Sequence, residues 1–245
     1  MDKKILKYQQ NCFQNYNQSL YLPKKYAFPD GNDIKPLPPI QVATNSLMII
    51  GAYPSARFEY RKSIEPPYRN RLVPVANNLQ PFADEQYFDG VRVRDLVSGR
   101  TINEYLLKPL DLTLQKCWIT DLVKVFLYKE THAESCEAVG IKRRIPVLRD
   151  QLLDLGKKSL GWIQEEINLC KPKLIITLGY EVARVTSEDF TSSTDKLLSV
   201  SIYNHENLLE YPTIHAPHPD ACRRNKKWRV VIENQITLIK EKLHK

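Results

Sequence analysis

The stretch SLMIIGAYPS (residues 46–55) decides the fold class, because its composition changes at Gly51 from a mostly apolar run to residues typical of a loop. The first half is a short uncharged run of mostly apolar residues, typical of a strand that is buried on both faces. Glycine ends the run, and the proline-containing residues that follow predict a loop. Three later stretches give further strand candidates: CWITDLVKV (residues 117–125), KLIITLG (173–179) and YPTIHA (211–216).

Helical patterns accompany these four strand candidates. Between the second and the third, apolar residues recur with helical spacing at Val147, Leu148, Leu152, Leu155, Ile163 and Ile167. The stretches GYEVARV (residues 179–185) and WRVVIENQITLIKEKL (228–243) predict two further helices. Short buried strands that alternate with helices predict an α/β protein whose parallel sheet is covered on both faces.

Length and composition narrow the class of protein. The chain has 245 residues, enough for one large domain, and residues 1–40 are a polar lead-in in which we expect one short helix and an extended wrap. No apolar run approaches the roughly 20 residues that span a bilayer, so we expect no membrane segment and a cytoplasmic protein. The formal net charge of +8 favours a polyanionic partner such as nucleic acid.

The strand ends predict where a ligand binds, since ligands of parallel α/β folds lie beyond the carboxyl ends of the strands. Three segments converge there: GAYPSARF (residues 51–58), TDLVKVF (120–126) and HAPHPDACRR (215–224). The last runs into a cluster of cations, of which we expect four to contact phosphates: Arg223, Arg224, Lys226 and Lys227. Cations at the start of a helix oppose its macrodipole, and an anionic partner accounts for them better than solvent does.

Four motifs carry a resemblance to a known family. LMIIGAYPSARF (residues 47–58) resembles the first motif of the uracil-DNA glycosylase superfamily, a strand that ends in G-x-x-P. CWITDLVKV is similar to the I-T-N-x-V-K strand of its iron–sulfur-containing, family 4-like branch. INLCKPKLIITLGYEVARV (167–185) resembles that branch's helix–strand–helix segment, and HAPHPDACRR resembles the final H-P-S motif. The motifs follow the family's order over residues 45 to 240.

The resemblance implies a three-layer α/β/α sandwich with a central, mainly parallel four-stranded sheet, spanning residues 41–245 behind an N-terminal extension (1–40). It also implies a monomer that flips a nucleotide out of DNA and cleaves its N-glycosidic bond. His218 stands where the family places the histidine that stabilises the departing base. The residues after it would form a loop that enters the duplex: Pro219, Asp220, Ala221 and Cys222. His215 is expected to be structural.

The first loop would line the base pocket through Gly51, Ala52, Tyr53, Pro54 and Ser55. The family often has an acid at the second or third of these positions, where this chain has Ala52 and Tyr53. The acid could come from Glu59, Asp84 or Glu85, or catalysis could be absent. Tyr53 is expected to be a catalytic residue together with His218, and it could also cover another side of the pocket. Phe82 is the aromatic residue expected to stack on the flipped base, and Phe88 is the second candidate.

Asp121 replaces the asparagine of the branch's I-T-N motif. Asparagine presents one donor and one acceptor and so matches O4 and N3–H of uracil, whereas an ionised carboxylate only accepts hydrogen bonds. It would repel O4 and accept from the exocyclic amine of cytosine, so we predict specificity for cytosine or a modified cytosine. A buried Asp121 that keeps its proton would imitate asparagine and leave uracil as the base.

The iron–sulfur branch holds its cluster with four cysteines, and this chain lacks that set. Cys12 alone stands near the start, Val125 occupies one ligand position, and Cys136 roughly fits the last. We therefore predict no cluster, no other metal and no cofactor. Water would be the nucleophile of a monofunctional enzyme, although Lys124 keeps lyase chemistry open. The alternatives are a DNA-binding module without catalysis and, least favoured because no phosphate-binding glycine loop is present, an unrelated α/β enzyme.

Overall fold

The computed structural model describes residues 2–82 and 85–243 of the chain. The strands are β1 (Leu47–Gly51), β2 (Ala56–Lys62), β3 (Asn70–Asn77), β4 (Gln86–Phe88), β5 (Val93–Asp95), β6 (Cys117–Asp121), β7 (Leu174–Leu178) and β8 (Thr213–Ala216). The α-helices are α1 (Lys3–Ser19), α2 (Val97–Ile102), α3 (Glu130–Ala138), α4 (Leu152–Cys170), α5 (Tyr180–Ser187), α6 (Thr194–Leu197), α7 (Pro219–Arg224) and α8 (Lys226–Leu243). None of these helices is long and apolar enough to cross a membrane.

The four predicted strands form one parallel sheet in the order β6-β1-β7-β8. Their register aligns one isoleucine from each strand in a row across the sheet: Ile119, Ile49, Ile176 and Ile214. The strands are buried along their whole length, as expected for a parallel sheet with helices on both faces.

Alternation along β1 assigns its side chains to two cores. Leu47 and Ile49 face a core that includes α8 and the turns after α2, whereas Met48 and Ile50 face α4 and α5. Helices therefore cover both faces of the sheet, and the predicted three-layer α/β/α sandwich is confirmed.

Two predicted elements differ in length from the observed ones. The strand predicted over residues 117–125 ends at Asp121, although the amides of Leu122 and Val123 still donate to the carbonyls of Gly51 and Ala52 at 2.7 and 2.9 Å. The helix predicted from residue 147 begins at Leu152, after a 3-10 turn. The preceding segment is held outside the helix because its amides at 148 and 149 both donate to one carbonyl of an earlier loop.

Two antiparallel ribbons, which the sequence did not predict, lie between β1 and α2. Strands β2 and β3 pair with a bulge at Arg57/Phe58, and β4 pairs with β5. The β2 side chains are mostly half-buried on both sides, so that the clean alternation of a surface strand is missing. The ribbons follow directly from the loop after β1, at the carboxyl edge of the sheet.

The N-terminal segment packs on α4 through buried tyrosines. The hydroxyl of Tyr8 donates to the carboxylate of Glu166 at 2.5 Å, and that of Tyr16 bonds Ser159. Glu166 also forms a fully buried ion pair with Lys124 (2.7 Å) and accepts from Trp118 Nε1 at 2.9 Å. Helix α1 thus supplies a hydrogen-bond donor to a buried ion pair beneath the sheet's β6 edge.

Candidate active site

The predicted base-binding residues meet at Gly51, the last residue of β1. A methyl group on Gly51 would lie 2.6 Å from the ring of Phe82 and would also collide with a carboxylate oxygen of Asp121. Glycine is needed here because two side chains from distant parts of the chain pack directly on its backbone. Phe82 and Asp121 therefore meet at one point of the carboxyl edge of the sheet, where the sequence predicts the base pocket.

Asp121 is only 2% exposed at the end of β6. Burial raises the pKa of its carboxyl from 3.8 to about 7; Lys124 acts in the opposite direction and Glu166 adds to the rise. No hydrogen bond to this carboxyl group is found among residues 2–82 and 85–243. Near neutral pH the group therefore exists both as an acid with one donor and as a carboxylate that only accepts.

Phe82 has the left-handed backbone conformation (φ 50°) and is 7% exposed. Its ring centroid lies 6.5 Å from that of His218, with the planes tilted by 32°. The reserve candidate Phe88 lies on β4 and is 66% exposed. Phe82 is thus the aromatic residue that borders both Gly51 and the predicted catalytic histidine.

His218 occupies the N-cap of α7, and its Nδ1 accepts a hydrogen bond from the backbone amide of Asp220 at 3.2 Å. The hydrogen of a neutral ring must then be on Nε2. Burial lowers the pKa of His218, although Asp220 and Glu181 oppose this, so the ring is neutral near pH 7. The side chain is a fixed Nε2–H donor at the edge of the pocket.

The loop after β1 places its residues at different depths. Pro54 is buried, Ala52 and Tyr53 are half-buried, and Ser55 is exposed. The ring of Tyr53 lies under the guanidinium group of Arg149, 5.4 Å from its centroid, and burial raises the pKa of the phenol. Tyr53 therefore packs beside the pocket, as one face of a cation–π pair.

Arg149 and Glu181 are residues of the site that sequence reasoning missed. Arg149 Nη2 lies 2.6 Å from Glu181 Oε1. Burial acts to raise the pKa of Glu181, but the hydrogen bond and charge of Arg149, together with a backbone hydrogen bond, lower it overall. Glu181 could have been found because it follows directly after the KLIITLG strand, at the carboxyl edge where ligands bind. Arg149 carries no such signal, because it lies in the irregular segment before α4.

The predicted substitutes for the missing acid lie in ion pairs of the ribbons. Glu59 pairs with Arg61 at 2.8 Å, and Glu85 with Arg57 at 3.1 Å. Asp84 lies outside the described residues. The atoms nearest to the hypothetical β-carbon of Gly51 belong to Asp121 and Phe82, whereas Glu59 and Glu85 are engaged by arginines of the ribbons.

The segment after His218 is a helix, which corrects the prediction of a loop. Pro219 occupies the first turn of α7, where its missing N–H is tolerated, and it is buried. Cys222 is also fully buried, with its Sγ 3.5 Å from the carbonyl of Trp228. Pro219 and Cys222 therefore cannot enter a duplex, whereas Asp220 and Ala221 are only half-buried.

The basic run divides between two helices. Arg223 and Arg224 end α7, where the helix dipole favours cations, and both pair with Asp220 at 3.0 and 2.7 Å. This corrects the expectation that the whole run opposes a macrodipole. Lys226 and Lys227 do begin α8, and Lys227 pairs with Asp195 at 2.5 Å. Lys226 is exposed and forms no ion pair within the described part of the chain.

Lys124 and His215 lie away from the pocket surface. Lys124 is fully buried, and its ammonium group contacts Glu166, Thr120 Oγ1 and the backbone carbonyl of Asp121. In this structure its ammonium group is therefore not exposed at the predicted pocket. His215 is fully buried between Thr177 and His205, at 2.6 and 2.8 Å, in agreement with the structural role expected for it.

Cysteines and potential metal ligands are dispersed. All five cysteines are buried thiols. Within residues 2–82 and 85–243, no three side chains among histidine, cysteine, aspartate and glutamate come together as metal ligands would.

Comparison with known proteins agrees with this geometry. A family model described as "Uracil DNA glycosylase superfamily" matches residues 40–237, which include the whole sheet, the Gly51 pocket and His218. A search of curated proteins with this sequence finds no significant match. On the strength of that family match over most of its length, the chain belongs to the uracil DNA glycosylase superfamily.

Proposed function

We propose that the protein is a monofunctional DNA glycosylase that flips a nucleotide out of DNA and hydrolyses its N-glycosidic bond. Superfamily membership supports a DNA glycosylase-type function. The observation that carries the proposal is the meeting of Phe82 and Asp121 at Gly51, with the His218 ring beside them. An aromatic face, a polar edge and a fixed N–H donor are what an extruded base requires.

Binding of the base draws on stacking and on hydrogen bonds to its edge. The base would stack on Phe82, which contributes about 1–3 kcal/mol per base in comparable sites and offsets a few kcal/mol lost on flipping. Its edge would meet Asp121, the polar wall of the pocket. The exposed cations Arg223, Arg224 and Lys226 would contact phosphates and give a salt-dependent affinity.

His218 would act on the departing base. As the C1′–N bond breaks, the electron pair moves onto the base, whose carbonyl oxygen gains negative charge. The Nε2–H of His218 donates to that oxygen, and because the ring is neutral and already oriented, little reorganisation is needed. A water molecule adds to C1′ as that bond breaks and gives up one proton, so that the sugar carries a hydroxyl group at C1′. The burial of Lys124 supports a monofunctional reaction, since this lysine is not available in the pocket for a Schiff base.

The substrate base that we propose is a cytosine-type base, modified or foreign. The carboxylate of Asp121 accepts hydrogen bonds and would pair with the N4 amine of such a base while repelling O4 of uracil. Release of ordinary cytosine would damage the cell's own genome, so a modified cytosine is the more coherent substrate. Such a substrate is consistent with a role in DNA repair or in defence against foreign DNA. We propose that the protein acts as a cytoplasmic monomer.

Uracil is the second candidate, favoured by the pKa of about 7 for Asp121. In its protonated form the acid presents one donor and one acceptor, as asparagine does, and would match O4 and N3–H of uracil. A DNA-binding module without catalysis is the third, favoured by the absence of an acid at Ala52 and Tyr53.

Base release from DNA tests these candidates. The protein is incubated with single-stranded and duplex DNA that contains uracil, cytosine, 5-hydroxymethylcytosine or glucosylated 5-hydroxymethylcytosine, and abasic sites are revealed with alkali. The variants are His218→Ala and, as a matched control, His132→Ala, whose ring packs on Phe126. His218→Ala is expected to lose about 10²-fold or more in rate, the usual effect of removing a preorganised donor.

The outcomes are distinct. Release of a modified cytosine that only His218→Ala abolishes supports the proposal. Release of uracil alone assigns the second candidate. Salt-sensitive DNA binding without release of any base would identify a binding module and refute the enzymatic proposal.

A further inference from the structure

The reaction needs a group that holds the attacking water and accepts its proton, and the first loop lacks the acid for this task. Ala52 and Tyr53 occupy its position, while Glu59 and Glu85 are paired in the ribbons. Asp121 also lies at this edge of the sheet, but it is the group proposed to bind the base. A second carboxylate at the same edge is Glu181.

Glu181 reaches the site from the strand next to β1. It lies in the first turn of α5, directly after β7, which pairs with β1 on one side and β8 on the other. The hypothetical β-carbon position on Gly179 lies 4.0 Å from Glu181 Oε2 and 3.7 Å from the β-carbon of His218. Glu181 and His218 therefore flank the same point of the backbone at the carboxyl edge.

The two oxygens of Glu181 are in different surroundings. Oε1 is bound to Arg149 at 2.6 Å, and Arg149 is in turn backed by the ring of Tyr53. Oε2 is the oxygen that lies 4.0 Å from the hypothetical β-carbon position of Gly179. The side chain is 39% exposed, so water reaches it. Arg149 also keeps the carboxylate ionised near neutral pH, because it lowers the pKa of Glu181 against the effect of burial.

We propose that Glu181 is the catalytic carboxylate that holds the attacking water and takes its proton, with Arg149 and Tyr53 as positioning residues. This role rests on the proposed glycosylase function. The water oxygen forms a bond to C1′ as the C1′–N bond breaks. The water proton passes to Glu181 Oε2, and the electron pair of the broken bond leaves on the base, where the His218 Nε2–H stabilises it. Atoms and charge balance without any further reactant.

A structural role for Glu181 is the competing explanation. An acid in the first turn of a helix interacts favourably with the macrodipole, and the pair with Arg149 ties α5 to the segment before α4. Loss of that role would lower the melting temperature and DNA affinity together. It would not be repaired by a small carboxylate added to the solution.

The test uses single-turnover base release by the full chain on the substrate that the wild type cleaves. The variants are Glu181→Gln, Glu181→Ala and the control Glu188→Gln, an exposed residue at the other end of α5. Glu181→Gln is expected to be about 10²-fold slower, as for loss of a general base, with DNA affinity within a factor of about two. Sodium formate is expected to restore part of the rate of Glu181→Ala, while Glu188→Gln behaves as the wild type.

Two results overturn the inference and are distinguishable. If the wild type releases base but Glu181→Gln is within about threefold of it, or formate fails to rescue Glu181→Ala, Glu181 is not the catalytic carboxylate and the glycosylase function stands. If the wild type releases no base from any substrate, the proposed function fails and this role with it.

Discussion

At the scale of single residues, Asp121 is the buried acid of the candidate site. Its carboxyl group is buried at the end of a central strand, beside an aromatic ring and above the buried Lys124–Glu166 pair. Desolvation holds its pKa near 7, so its charge changes within the physiological range. Stability of the fold should therefore depend on pH through this residue, and so would recognition of the base if Asp121 binds it as proposed.

Replacement of Asp121 by asparagine is expected to stabilise the protein in a pH-dependent way. The folded state keeps the Asp121 proton up to about pH 7, whereas the unfolded chain releases it near pH 4, so stability is lost as pH rises between these values. The asparagine side chain of the variant does not titrate. The free energy of unfolding of Asp121→Asn relative to wild type should therefore rise from pH 4 to pH 8, by up to about 4 kcal/mol.

Urea unfolding at pH 4, 6 and 8 measures this difference. The control is Asp150→Asn, which removes a carboxyl group that is exposed to solvent. A stability difference for Asp121→Asn that does not change between pH 4 and pH 8 would show that the carboxyl group ionises normally and would remove the basis for pH-dependent base recognition.

The site was predictable from the sequence only where its residues lie in short motifs. Gly51, Asp121 and His218 each end a buried strand or follow it closely, and the topology of a parallel sheet brings such positions together. The Arg149–Glu181 pair joins residues 32 positions apart, one of them in an irregular segment. Nothing in the local sequence of Arg149 indicates that contact.

At the scale of elements, the four sheet strands could be predicted from the sequence because each is a short, mainly apolar run bounded by loops, which is typical of a buried strand. The β2–β3 ribbon could not, because its strands mix charged and apolar residues without strict alternation. The segment after His218, which the sequence analysis predicts as a loop, contains the start signal of helix α7. His218 accepts at the N-cap, Pro219 fills the first turn and Asp220 adds an acid there, which together favour a helix.

Because the basic run is divided between α7 and α8, its cations differ in whether a nearby carboxylate neutralises them. Arg223 and Arg224 are partly neutralised by Asp220, and Lys227 by Asp195, whereas Lys226 lies in the first turn of α8 without an ion-pair partner in the described residues. Lys226→Ala should weaken DNA binding for every sequence and reduce the slope of log K against log salt by about 1. Fluorescence anisotropy between about 50 and 200 mM salt measures that slope.

The matched control is Lys240→Ala, an exposed lysine in the last turn of the same helix. It changes the net charge equally but lies at the other end of α8. Equal salt slopes for the two variants would mean that the start of α8 is not part of the DNA-binding surface.

At the scale of the whole molecule, a chain of buried contacts connects the N-terminal helix to the pocket. Tyr8 donates to Glu166, Glu166 pairs with Lys124, and the Lys124 ammonium donates to the backbone carbonyl of Asp121. Buried ion pairs are costly unless their remaining hydrogen-bonding capacity is filled, and α1 fills part of it. Residues 1–40 could be recognised in the sequence as a separate segment, but their contact with the core depends on pairing over more than 150 positions.

Removal of the Tyr8 hydroxyl should therefore destabilise the whole fold. Tyr8→Phe leaves the shape of the helix unchanged but deprives a buried carboxylate of one donor, at an expected cost of about 1.5–3 kcal/mol in the free energy of unfolding. Tyr21→Phe is the control, because Tyr21 is 85% exposed and its change should stay within about 0.5 kcal/mol. Urea denaturation measures both. If the two variants unfold at the same urea concentration, the Tyr8 hydroxyl of α1 does not stabilise the core. The N-terminal segment would then not contribute through this residue to the stability of the structure around Asp121.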